Sequence, residues 1–205
     1  MKRSCRAALF AFLVLATAAY AQGSSKTHFL IARPGMPDPN FRETVVLVTQ
    51  EEGAEATGVI INRPTNRSLA EMLPSERFKP FKEPIFFGGP VAPQGLFAVF
   101  KADRFSGAAV TMLPGLYLAV VPDSIDALLN DPPPKIRFFA GYSGWAPGQL
   151  RGELDRGDWL IVDAEADAVF LKDTSRLWQD MVRRASAVRA DAASLRSRHP
   201  TFSSR

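Results

Sequence analysis

Glu153 and Asp158 flank Gly157 and stand near Trp145 and Trp159 in this 205-residue chain. Two carboxylates beside aromatic rings are the equipment of general acid–base hydrolysis and of sugar binding. The same residue types also make an exposed helix position (Glu153) and a turn former (Asp158). A second candidate is Asn62-Arg63-Pro64. Asn suits the end of a strand, where its side chain can bond the local backbone. An arginine there could hold a carboxylate or phosphate in a bidentate pair, or close an internal ion pair. Gly88-Gly89-Pro90 follows an apolar run and has the composition of a tight turn or a backbone cradle. Trp145 lies among glycines and a proline, with Gln149 and Glu153 one and two helical turns on. That setting predicts a partly exposed indole at a pocket or interface. The candidate ligand- or partner-binding set is therefore Asn62, Arg63, Gly88, Gly89, Trp145, Gln149 and Glu153.

Other chemistries fit less well. Gly141-Tyr142-Ser143-Gly144-Trp145 lacks the second glycine of a nucleophile elbow and reads as a Gly-rich turn. A serine triad would also need a histidine base, and the two histidines, His28 and His199, lie at the two ends of the chain. Asp163, Glu165 and Asp167 alternate as oxygen ligands might, but without the glycine and distal glutamate of a calcium loop. They read as a solvated turn. No cluster has metal-ligand spacing, so neither a metal nor another cofactor is expected. No lysine follows Gly88-Gly89-Pro90, as a phosphate loop would require.

The elements that must carry these residues are mostly short strands. Continuous β-branched or apolar runs predict strands over 29–32, 44–49, 57–61, 85–87, 96–100, 108–112, 116–121, 135–140, 159–162 and 168–171. The second and third read as a hairpin. Ser68 and Glu71 form a capping box opening a short helix. Further helices are predicted over 124–129 and 147–156, the latter with Pro147 at its start and Gly157 just past its end. A last helix starts near Asp173 or Thr174, where Leu177, Trp178, Met181 and Val182 make an apolar stripe. Strands outnumber helices without alternating with them, which excludes a doubly wound parallel sheet. The expected class is α+β: a largely antiparallel, barrel-like β-sheet core with flanking helices.

The N-terminus has the three parts of a secretory signal. Lys2, Arg3 and Arg6 precede a 12-residue apolar run over 7–18, and Ala19-Tyr20-Ala21 supplies small residues for cleavage after Ala21. The run is shorter than the roughly 20 residues of a membrane-spanning helix. The expected organisation is a signal peptide over 1–21, a flexible leader over 22–27, one domain over 28–184 and a basic polar tail over 185–205. The expected location is the periplasm or the exterior. The one cysteine, Cys5, falls inside the signal, which leaves the domain with no disulfide and no thiolate chemistry. The formal charge of +4 also shrinks, because three basic residues leave with the signal and the remainder is 22 basic against 21 acidic. Such a balance offers no general attraction for nucleic acid. The basic excess is local, since Arg183, Arg184, Arg189, Arg196, Arg198 and Arg205 face only Asp191. It reads as a solvated helix end or as a contact with an anionic surface.

Four motifs stand in order: Phe29-Leu30-Ile31-Ala32-Arg33-Pro34-Gly35-Met36-Pro37-Asp38-Pro39-Asn40-Phe41; Gly58-Val59-Ile60-Ile61-Asn62-Arg63-Pro64; Phe86-Phe87-Gly88-Gly89-Pro90-Val91; and Gly141 to Leu150 with Glu153 and Gly157-Asp158-Trp159. Together they resemble the YqgE/AlgH family of bacterial proteins over about residues 28–182. The resemblance implies an α+β fold with a β-barrel-like core. It also implies a regulatory role, since one branch carries a transcriptional-regulator label, although no DNA-binding element stands in this sequence. Members of that family are usually cytoplasmic, and the signal sequence sets this chain apart. The function expected from these readings is that of a non-enzymatic binding or accessory protein of the cell envelope, with an unknown protein or small-molecule partner. The alternatives are a carboxylate-dependent hydrolase using Glu153 or Asp158 on an envelope substrate, and the regulator of the family label.

Overall fold

The computed structural model describes residues 26–51, 53–73 and 75–198. The expected signal peptide, its expected cleavage point at Ala21 and most of the expected leader lie outside the described residues. Lys26 and Thr27, expected in the leader, open the first strand. The strands are β1 (Lys26–Ala32), β2 (Val45–Gln50), β3 (Ala56–Ile60), β4 (Pro64–Ser68), β5 (Pro84–Phe87), β6 (Val91–Lys101), β7 (Ala109–Leu113), β8 (Leu116–Ala119), β9 (Ile136–Trp145) and β10 (Trp159–Asp163). The helices are α1 (Leu69–Met72), α2 (Pro122–Asn130), α3 (Gln149–Arg156) and α4 (Leu177–Arg198).

The main path through the sheet is β10-β1-β2-β3-β9-β6-β8-β7, and every pair on it is antiparallel. The long strand β9 is the hinge of this architecture. One edge of it pairs with β6. Its other edge is shared: Phe139 and Ala140 run parallel to β5, and Ser143 to Trp145 run antiparallel to β3. Strand β4 joins on the far side of β5. The sheet curls until its end strand β7 approaches β1, where Thr27 Oγ1 hydrogen-bonds the Met112 carbonyl and meets Thr49 Oγ1 at 3.0 Å. The result is the α+β, curled, barrel-like antiparallel sheet with flanking helices that the sequence predicts.

The apolar runs account for this curl. Val45 to Val48 are buried without alternation, because the curled sheet covers one face and helices or loops cover the other. Inside the curl, Phe29, Ile31, Leu47, Val59, Phe86, Val99 and Phe139 pack with Leu177, Met181 and Ala185 of α4. Trp178 fixes that helix by donating its indole N–H to the Ala32 carbonyl at 2.8 Å. A second cluster, with Phe100, Ile125, Leu128 and Phe138, lies under α2. A third, holding Leu30, Trp145, Leu150 and Trp159, lies under α3.

Several expectations need correction. Residues 141–145 are not a turn but the second half of β9, with Gly141 at φ +70° bending the strand. Residues 168–171, predicted as a strand, belong to a 3₁₀ turn over Ala166–Phe170, because Val169 packs inward while the flanking positions bind cations. Strand β4 was not expected, since its Pro-Thr-Asn-Arg-Ser sequence is polar; it is an edge strand, where proline is tolerated. Helix α3 starts at Gln149, after Gly148 at φ +80°, and ends as expected at Gly157 in the left-handed region. The capping box is formed: Ser68 Oγ accepts from the Glu71 N–H, and Glu71 accepts from the Ser68 N–H at 2.7 Å. These bonds hold the Glu71 carboxyl below its usual range. Helix α4 runs unbroken to Arg198, through much of the expected tail. Two of the C-terminal basic residues, just before that tail, are engaged nearby, Arg184 with Glu165 at 2.6 Å and Arg183 with Asp180.

Candidate functional site

The seven candidate residues come together at the corner where β9, β3 and α3 meet, and they join through two short loops. Asn62 Oδ1 accepts from the Val45 N–H at 2.8 Å, and its Nδ2 donates to the Glu43 carbonyl at 2.9 Å. Arg63 donates to the carbonyls of Asn40 at 2.6 Å, Arg42 at 2.7 Å and Pro39 at 3.3 Å. These two adjacent side chains thus satisfy four carbonyls of a single loop, including that of Glu43, which is held at φ +57°. Partial burial pushes the Arg63 pKa down, opposed in part by the nearby Asp38 and Glu43 carboxylates. Arg63 is therefore the clamp of this loop and not an open anion receptor.

The clamped loop carries Phe41 into the corner. Its ring stacks on Trp145 at 5.9 Å and meets Trp159 edge-on at 5.4 Å, and the two indoles pack edge-to-face at 6.1 Å. Trp145, expected to be partly exposed, is only 3% exposed, because Phe41 and α3 cover it. Both indole N–H groups donate to one oxygen of Glu153, each at 2.8 Å. Gln149 Nε2 donates to the other oxygen at 3.0 Å, while Gln149 Oε1 caps the Ala146 N–H at 3.1 Å. Leu150 and Leu154, one turn apart on α3, close the apolar side. Asp158, the other carboxylate of the expected pair, binds Arg156 at 2.7 Å.

Gly88 and Gly89 serve the same corner through backbone alone. The Gly88 N–H donates to the Ala140 carbonyl, and its own carbonyl accepts from the Ile60 N–H, both at 2.9 Å. Ser143, fully buried, adds its hydroxyl to the Gly88 carbonyl at 3.0 Å. A Cβ at Gly88 would stand 2.2 Å from the Gly141 carbonyl oxygen, and one at Gly89 would stand 2.4 Å from the Tyr142 carbonyl. The double glycine is the seam where β5, β3 and β9 exchange partners. It is neither a phosphate cradle nor a free loop.

Asp163, Glu165 and Asp167 do not converge. Asp163 lies 4.0 Å from His28, Glu165 binds Arg184, and Asp167 binds both Lys101 and Lys135. The two lysines hold the Asp167 carboxyl down to about 2. Among the described residues no group of three or more histidine, cysteine, aspartate or glutamate side chains is placed to hold a metal ion.

Sequence reasoning missed Arg137. It sits near the start of β9 and is 4% exposed. It donates to the carbonyls of Val169 at 2.5 Å and Leu171 at 2.9 Å, and its guanidinium lies 4.2 Å from the Phe86 ring centre. Burial pushes its pKa down, partly opposed by Glu83. A lone arginine inside the run Ile136-Arg137-Phe138-Phe139 was the available signal, since a charge within a buried strand demands partners.

This is a curled antiparallel sheet whose corner is locked by an aromatic trio around a single carboxylate, and it defines an α+β scaffold with its motif residues turned inward. The chain belongs to the AlgH-like family (DUF179), whose model matches residues 29–188. It is 36% identical to a UPF0301 protein of Myxococcus xanthus, over 75% of this chain and 87% of that one. The solution structure of the AlgH protein from Pseudomonas aeruginosa superposes with a TM-score of 0.63 at 32% identity, covering 77% of this chain and 87% of that one. A crystal structure of a Corynebacterium diphtheriae protein, 24% identical, shares the fold with a TM-score of 0.58 over 78% of this chain and 86% of that one.

Proposed function

We propose that this protein is an exported binding or accessory protein of the cell envelope rather than a hydrolase. One observation carries the choice: three N–H donors occupy the two oxygens of Glu153. A carboxylate so engaged orients the indoles and fixes α3. To act as a general base it would have to release bonds that hold the corner together. Asp158 is likewise engaged by Arg156. Export is supported by the basic, apolar and small-residue sections of residues 1–21.

The activity half is tested by screening the protein against glycan, ester and phosphate substrates, with Glu153→Gln alongside. No turnover above buffer is expected. Turnover that Glu153→Gln abolishes while the fold is retained would establish the hydrolase instead. The location half is tested by the N-terminal mass of the protein from fractionated cells. A species beginning at Gln22 in the periplasm is expected, and an intact Met1 species in the cytoplasm would return the regulator reading.

A further inference from the structure

Arg137 forms part of the wall of a cavity of about 190 Å³. Pro80, Phe81, Pro84, Pro134, Ile136 and Phe138 supply its apolar lining, with Phe81 and Phe138 packed edge-to-face at 5.2 Å. Two charged side chains, Lys82 and Glu83, complete the lining beside Arg137.

The guanidinium is incompletely matched. Its two Nη groups reach backbone carbonyls, and its Nε–H, closed off from solvent, finds no acceptor among the described residues, so the edge that faces Glu83 is the one a ligand can reach. The nearest carboxylate, Glu83, stands 3.7 Å away, beyond hydrogen-bond distance, on a side chain that is 62% exposed. Removing a cation from water is costly, and a loosely placed, solvent-exposed carboxylate offsets that cost only in part. Glu83 can swing into solvent, so its place is open to a better-fitting acid. With Glu83 turned out to solvent, Lys82 and Arg137 leave the cavity positive, and the single place that Glu83 vacates suits one carboxylate. The proline and phenylalanine walls suit a flat apolar body behind that charge.

We infer that this cavity binds a small organic monocarboxylate, its acid group on Arg137 in place of Glu83 and its apolar body between Phe81, Phe138 and the prolines. The inference rests on the binding reading above and gives it a place and a ligand class.

The test is titration of the whole protein with benzoate and phenylacetate, followed by calorimetry and by NMR of the Arg137 Nε–H and the Phe138 amide. Saturable binding that moves both signals is expected. The neutral benzamide should bind about tenfold more weakly, because it lacks the charge-assisted bond. Arg137 also holds the 169–171 backbone, so the deciding variant is Glu83→Ala, which frees the cation without touching those bonds. It should tighten benzoate about threefold, the scale of an exposed ion pair. No saturation by about 10 mM, equal affinity for benzamide, unchanged affinity in Glu83→Ala, or equal competition by inorganic phosphate would each overturn the inference. Failure here with capture of a protein partner intact would leave the binding reading standing; turnover lost in Glu153→Gln would remove that reading instead.

Discussion

The two ends of β9 each draw a charged side chain into apolar surroundings, and they balance it differently. At the Trp145 end, Glu153 receives two indole N–H groups and an amide, so both of its oxygens are engaged. At the Arg137 end, the guanidinium reaches two carbonyls and a ring, pairs loosely with an exposed carboxylate at 3.7 Å, and borders a cavity. A charge that is satisfied within the chain locks a fold, because every alternative arrangement leaves buried donors unpaired. A charge left short of a partner beside open space is where a ligand can gain affinity. The four family motifs crowd the first end, and none of them includes Arg137. Motif density here marks the corner that is hardest to build.

The largest effect should come from Glu153→Ala. It strands the N–H groups of Trp145 and Trp159, which are 3% and 4% exposed. At 1–3 kcal/mol for each orphaned donor, the expected loss is about 4 kcal/mol by urea denaturation. Glu153→Gln keeps one oxygen for both indoles, lets the Gln149 amide turn to suit, and should cost only about 1 kcal/mol. Equal losses in the two variants would break the comparison, because the corner would then depend on charge and not on acceptors.

Gly88→Ala comes next. The added carbon meets the Gly141 carbonyl oxygen at 2.2 Å, backbone against backbone, so the three-strand seam must open. About 3 kcal/mol is expected, at the upper end for overpacking. Because the seam binds β5 and β3 to β9, hydrogen exchange should quicken at Ile60 and Gly88 together. A loss confined to one of them would show that the two sheet halves are held independently.

What the sequence revealed follows from the same contrast. Strands with uniform apolar runs, the capping box and the Gly157 helix stop were legible because each is decided by neighbours in sequence. The grouping of Asn62, Arg63, Trp145 and Glu153 was legible as a cluster, but its direction was not. Whether an arginine faces solvent or a loop carbonyl twenty residues back depends on tertiary packing, and Trp145 among glycines looked exposed because Phe41 could not be placed over it. Gly141 to Gly144 read as a turn because glycine marks turns and strand bends alike. The strand predicted at 168–171 failed for a related reason: the segment is shaped by Arg137, Lys101 and Lys135, which lie far from it in sequence, in β6 and in or just before β9.

Arg137→Met sharpens the comparison from the other end. It keeps much of the apolar volume and removes the two bonds to the Val169 and Leu171 carbonyls. Replacing an incompletely paired buried charge with a hydrophobe offsets part of the loss. The expected cost is about 2 kcal/mol, smaller than for Glu153→Ala although Arg137 is as deeply buried as the two indoles. Exchange should accelerate over residues 165–171 and leave the Trp145 corner unchanged. A cost equal to that of Glu153→Ala would mean that Arg137 is also a saturated hub.

The smallest effect is a pH dependence confined to the Arg137 end. Asp167 ties the segment over 166–170 to β6 and β9 through Lys101 and Lys135, and these lysines hold its carboxyl at about 2 instead of 3.8. A carboxylate whose pKa is lower in the folded state binds its proton more readily when unfolded. Its contribution is therefore complete above about pH 4 and is lost as pH falls through about 2. The group is fully exposed, so the effect belongs to the segment and not to the whole fold. Asp167→Asn should quicken exchange at Ala168 at pH 5, and the wild type and the variant should converge near pH 2. If they differ equally at both pH values, the tie is steric, and the charges at this end of β9 do not set its local stability.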